Sequence, residues 1–170
     1  EAKLATYLIG RSYKNIGELK KAESAYNKTI TDYQTDHIAL LSKWDLAGIS
    51  SIKKDQKRLN QIWIDIVFNT ENNKKNLPYI TKSAQNLSKY YFNQSEFNKA
   101  KNVLTTIYQD DELNNAIYQN AKDAVANLCK NEATKINGEK LADKIILIIM
   151  ESIDHAKNKD LPELFRRAAR

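Results

Sequence analysis

Four glycines and two prolines are all the turn-forming residues of these two types in a chain of 170 residues. A many-stranded β fold needs turn signals every eight to twelve residues or so, whereas long helices joined by short polar connectors need few. The sequence therefore predicts an all-α chain. Its 42% apolar content can supply a sizeable core and its 28% charged content a solvated surface. The most apolar run, 145–150, is six residues long between Lys144 and Glu151. A membrane span needs about 18 such residues, so the run reads as a buried helix segment.

Helical spacing recurs in pairs. Leu4, Leu8, Ile9, Tyr13 and Ile16 form one stripe, Gly17 breaks it, and Glu18 starts a second helix. That helix carries Leu19, Ala22, Ala25, Tyr26, Thr29, Ile30 and Tyr33 on one side. Neither helix of such a hairpin can bury its stripe alone, so each needs its partner and a neighbouring pair. A looser second copy places Leu46, Ala47 and Ser50 in one helix and Leu59, Trp63 and Ile66, expected in the core, in the next. A third reads Leu87, Ser88 and Tyr91, then Ala100, Leu104 and Ile107. Between them lies NTENNKKNLPY, a polar connector ending in Pro78 and Tyr79. A fourth pair is expected from Asn115 to Glu132 and from Glu139 to Ile153, with a turn at Asn137 and Gly138. Hairpins over about 1–34, 38–69, 79–109 and 114–153, plus a short helix over 160–170, make the whole chain one repeat domain. Because it opens and closes inside helical patterns, the chain reads as a fragment of a longer protein.

The first hairpin resembles the tetratricopeptide repeat. Ile9, Gly10, Tyr13, Gly17, Ala22, Tyr26 and Thr29 follow that family's order and spacing, while Thr6 and Gln34 depart from it. The resemblance implies a right-handed α-solenoid of about three and a half repeats, with Gly10 and Ala22 at close backbone approaches. It also implies that the first helix of each pair lines a concave groove. Carried over by register, the groove positions are Tyr7, Arg11 and Lys14, then Trp44, Asp45 and Gly48, then Gln85, Asn86 and Lys89. The family's chaperone-binding members grip a terminal carboxylate with a Lys, Asn and Arg set; Tyr7, Asp45 and Gln85 stand in three of those places and argue against that ligand. Tyr7 and Trp44 could instead pack on a neighbouring helix. The lengthened units, about 37 to 41 residues, are similar to the divergent repeats of bacterial cell-envelope proteins. That likeness implies a periplasmic or outer-membrane-associated setting, with the cytoplasm left open.

Residues with catalytic or metal-binding potential are sparse. His37 and His155 are far apart, and neither has a ligand set at zinc spacing. His37, beside Asp36, reads as an inter-helix loop residue. Asp110, Asp111 and Glu112 lack calcium-loop spacing and fit a helix start instead. Cys129, between Leu128 and Lys130, reads as a small core residue, and a single thiol allows no intrachain disulfide. No phosphate-binding or nucleophile-elbow motif occurs, and the three Asn-x-Ser/Thr triplets at Asn27, Asn86 and Asn93 are expected by chance in a chain this rich in asparagine. The expectation is a chain without catalytic, metal or cofactor sites.

The formal charge is +6. Residues 1–85 carry most of it, with 14 Lys/Arg against 9 Asp/Glu, including the run Lys53, Lys54, Lys57 and Arg58. A basic surface favours an acidic partner. Nucleic acid is disfavoured because Trp63 fits a core position and leaves those cations without a stacking platform. The leading function implied by the resemblance is a protein-interaction scaffold holding a protein or peptide, favoured to be acidic, in the groove. The alternatives are a structural spacer or self-association module, and a regulatory or substrate-positioning arm of an enzyme.

Overall fold

The computed structural model describes residues 2–132 and 147–148. Among them every regular element is an α-helix, and no strand occurs. The helices are α1 (Ala2–Asn15), α2 (Leu19–Asp32), α3 (His37–Ile52), α4 (Gln56–Asn69), α5 (Leu77–Asn93), α6 (Phe97–Leu104) and α7 (Asp110–Glu132). The expected partner helix 139–153 and the terminal helix 160–170 lie outside the described residues, as does His155. The same holds for the Cys129 side chain.

Three turns share one backbone solution. Gly17, Lys54 and Ser95 have φ of 80°, 57° and 59°. The following N–H reaches back five residues in each case: Glu18 to the Tyr13 carbonyl, Asp55 to Ser50 and Glu96 to Tyr91, all at 2.9 Å. The N–H groups of Gly17, Lys54 and Ser95 themselves bond to the carbonyls of Lys14, Ser51 and Phe92. This double closure is the Schellman ending of a helix, which satisfies otherwise orphaned carbonyls through one left-handed residue. Each turn spans three residues between helices, and the left-handed positions recur 37 and 41 residues apart. The same helix-ending turn thus recurs three times among the described residues.

The chain divides into two compact units, Glu1–Ala84 and Gln85–Arg170. In the first, α2 packs on α1 and on α3, α3 also meets α1, and α4 packs on α3. Tyr7, Ala22, Tyr26, Leu46 and Ile49 form the core, flanked by Tyr13, Leu19, Ile30 and Ile62. Gly10 faces the Tyr26 ring: a Cβ there would come within 2.6 Å of Tyr26 Cε1. The close approach implied for Gly10 is thus backbone against an aromatic ring. In the second unit Phe92, Phe97, Ala100, Leu104, Ile117, Ala121, Ala124 and Ile148 cluster, with Phe92 and Phe97 edge to face at 5.4 Å.

Several expected placements differ. Leu4, Leu8, Ile9 and Ile16 are exposed, the last by 71%, because α1 buries the face of Tyr7 and Gly10 instead. Trp63 is only half-buried, since α4 inserts Leu59, Ile66 and Val67. His37 is the first residue of α3 rather than a loop residue, behind the N-cap Asp36, whose carboxylate accepts from the Ile38 N–H. α7 starts at Asp110, earlier than Asn115, so Asp111 and Glu112 stand in its first turn, where negative charge favours the helix dipole.

Candidate functional site

The nominated positions fall on two surfaces, one in each unit. In the first, the α1 face carrying Tyr7, Arg11 and Lys14 meets the α3 face carrying Trp44, Asp45 and Gly48. Asp45 is the centre: its carboxylate accepts the Tyr7 hydroxyl at 3.1 Å and pairs with Lys14 Nζ at 2.6 Å. Gly48 stands below, where an added Cβ would lie 3.6 Å from Lys14 Nζ. Tyr7 is buried and its ring tilts against Tyr26 at 6.0 Å, so of its two expected roles packing is the one it fills. Burial first, then the Asp45 charge and hydrogen bond, pushes the Tyr7 hydroxyl up to about 12. The Tyr26 hydroxyl is buried without a hydrogen bond of its own, and burial followed by the Asp45 charge raises its pKa further.

Two nominated residues of this unit stay accessible. Arg11 is exposed, its guanidinium 5.9 Å from the Tyr7 ring centroid, a cation–π distance. Trp44 is half-buried and stands edge-on to Tyr79 at 5.3 Å. Tyr79 meets His37 at 5.8 Å, extending the aromatic row toward the α4–α5 connector. There the buried Asn76 amide donates to the Glu71 carbonyl, and its oxygen accepts a hydrogen bond from the His37 Nδ1–H at 2.8 Å. The sequence held no signal for this link, because its two ends lie 39 residues apart.

In the second unit Gln85 and Lys89, together with Leu104, Tyr108, Glu112 and Asn115, line an open groove of about 430 Å³ between α5 and α7. It adjoins a second compartment of about 260 Å³ that shares Lys89 and Asn120. Gln85 donates to the Tyr108 hydroxyl at 2.6 Å, and the buried Asn120 amide donates to Ser88. Lys89 Nζ reaches Asp123 at 2.7 Å, with both side chains about half exposed. Asn86 is half-buried and does not line the groove. Among residues not nominated from sequence, α7 supplies most of this wall: Asn115, Gln119, Asn120 and Asp123.

Half of the basic run of the first unit is committed. Glu23, with a side chain 14% exposed, takes Lys53 Nζ and Arg58 Nη1, each at 2.7 Å. Among the described residues no three His, Cys, Asp or Glu side chains gather as a metal site would need. No described helix is long and apolar enough to cross a membrane. The chain matches no family model, no curated protein and no solved structure.

Proposed function

We propose that this chain is a helical-repeat scaffold of the tetratricopeptide kind, a right-handed solenoid whose helix faces hold a partner protein or peptide. The observation that carries this reading is the open polar groove of the second unit. It is large enough for a chain segment, and its walls present amides, one lysine and a tyrosine hydroxyl. Such groups orient a ligand by hydrogen bonds. The thrice-repeated Schellman turn supports the repeat architecture behind it. Arg11 and Trp44 supply a second contact surface in the first unit, a cation and an aromatic edge of the kinds that dominate binding energies. A cell-envelope setting belongs to the same reading and rests on the unit length alone.

The test is partner capture with the intact chain, followed by cross-linking and identification. Arg11→Glu and Lys89→Ala should each reduce recovery while circular dichroism and melting stay unchanged, since both side chains are exposed. Unchanged recovery in both variants would refute binding on these faces. A second reading, self-association or a spacer role, is favoured by one observation: α1 leaves Leu8, Ile9 and Ile16 exposed on its outer side. Sedimentation of Ile9→Glu decides it, because a concentration-dependent assembly that this variant dissolves would support self-association.

A further inference from the structure

The first two helix-ending turns stand side by side at one end of the first unit. Lys53 and Arg58, which flank the α3–α4 turn, both reach Glu23, just beyond the α1–α2 turn. Ile16 and Ile52 sit at these turns, 71% and 62% exposed, more than any other large apolar side chain among the described residues. The backbone of the turn does not ask for them. Around Ser95, where the same turn recurs, the matching places hold Asn93 and Gln94.

Cations surround the two isoleucines. Over 15–23 and 51–58, six Lys and Arg stand against three Asp and Glu. Glu18 pairs with Lys21, Glu23 takes Lys53 and Arg58, and Asp55 accepts the Arg58 backbone N–H. Lys20, Lys54 and Lys57 remain exposed, with no carboxylate partner among the described residues. Lys20 and Lys57 are each the second residue of a helix, where the dipole disfavours positive charge. Lys54 holds its left-handed position at a conformational cost. Folding stability explains neither these three lysines nor the two isoleucines.

Protruding aliphatic tips among unpaired lysines suit an anionic bilayer, whose headgroups take the cations while the tips enter the apolar boundary. Nucleic acid needs a stacking face. Tyr13, at the end of α1, is half-buried with Lys21 over its ring at 5.7 Å and offers none. From this geometry we infer that the paired turns at Gly17 and Lys54 are a peripheral membrane contact, by which the first unit docks reversibly on anionic lipid. This contact is separate from the partner-binding faces of the scaffold reading and stands or falls without them.

Co-sedimentation of the full chain with vesicles of phosphatidylglycerol and phosphatidylcholine tests it. The chain should bind these vesicles, and bind phosphatidylcholine alone at least about tenfold more weakly. Lys54→Gln with Lys57→Gln should weaken binding about 25-fold, since each lysine at such a surface counts for about fivefold. Lys74→Gln with Lys75→Gln is the control, because these lysines are also exposed but lie about 20 Å away, beyond the other end of α4. That pair should weaken binding less than about threefold. Ile16→Asn with Ile52→Asn should weaken it about tenfold while heparin retention and circular dichroism stay unchanged. The inference is overturned if anionic vesicles are not bound, if neutral vesicles bind as well, or if the isoleucine pair or the turn lysines can be changed without loss. Equal loss from the connector lysines would overturn it too, by reducing the attraction to overall charge. A chain that ignores vesicles but is retained by heparin or an acidic peptide would assign this edge to a soluble polyanion instead.

Discussion

Gly10 shows how tightly one side chain can fix its neighbour. Alanine there is the better helix former by about 1 kcal/mol, yet its methyl would meet a Tyr26 ring that is wholly buried and cannot withdraw. Overpacking of this kind costs about 1–3 kcal/mol, so Gly10→Ala should lower stability in urea titration; a rise would show that the ring gives way. Ser83 and Ser88 form a contrast. Both are fully buried, but the Ser83 hydroxyl has no hydrogen bond, while Ser88 receives the Asn120 amide. Ser83→Ala should be neutral or mildly stabilising, whereas Ser88→Ala strands a buried amide and should cost about 1–3 kcal/mol by the same measurement.

Tyr7 adds a pH dependence at this scale. Its folded pKa, about 12, stands above the ordinary phenolic value of 10.0. The folded state therefore holds the proton that the unfolded chain gives up. Its stabilisation is complete below about pH 10 and is lost as pH climbs toward 12. Tyr7→Phe should lessen the fall in melting temperature over that window, leaving the part that belongs to Tyr26, and an equal fall in parent and variant would refute the assignment. The sequence named Tyr7, Lys14 and Asp45 separately, as groove positions in register. It could not show that Asp45 consumes the other two, because the pairs lie 38 and 31 residues apart and their meeting depends on how α1 and α3 pack.

At the scale of elements, the helical class was legible from the rarity of turn residues, and the first break was marked by Gly17. The turns at Lys54 and Ser95 carried no glycine to announce them, and only the backbone shows that they are equivalent. Side chains pay for the left-handed conformation. Lys54→Gly and Ser95→Gly should each stabilise by up to about 1 kcal/mol, read from denaturant midpoints, despite glycine's greater freedom when unfolded. A loss at either site would mean that the side chain contributes more than its conformation costs. The outward stripe of α1 illustrates the opposite limit. Periodicity finds that Leu4, Leu8, Ile9 and Ile16 are apolar and helical, but not which side a neighbour covers; the small Gly10 and the aromatic Tyr7 took that side.

For the molecule as a whole, the basic excess is less available than the sequence implies. Lys14, Lys43, Lys53, Arg58 and Lys89 all have carboxylate partners. Glu23 is the most economical of these partners, since it holds two cations with one carboxylate. Glu23→Gln should free Lys53 and Arg58, so the variant should elute from a heparin column at higher salt than the parent and melt earlier. Identical elution would show that the two cations were already free to bind polyanions.

The three helix-ending turns have one more consequence, for how such a chain can be lengthened. Within a hairpin the link is always three residues, while the links between hairpins are 33–36, 70–76 and 105–109. Three of the four residues by which the second spacing exceeds the first thus sit in the connector, the fourth in the longer α5, and the turns act as fixed joints. A foreign loop grafted between the exposed Glu71 and Asn72 should leave the helices paired, whereas the same loop placed after Lys54 should prise α3 from α4. Growth by insertion, in the laboratory or over generations, has its natural doorway between hairpins.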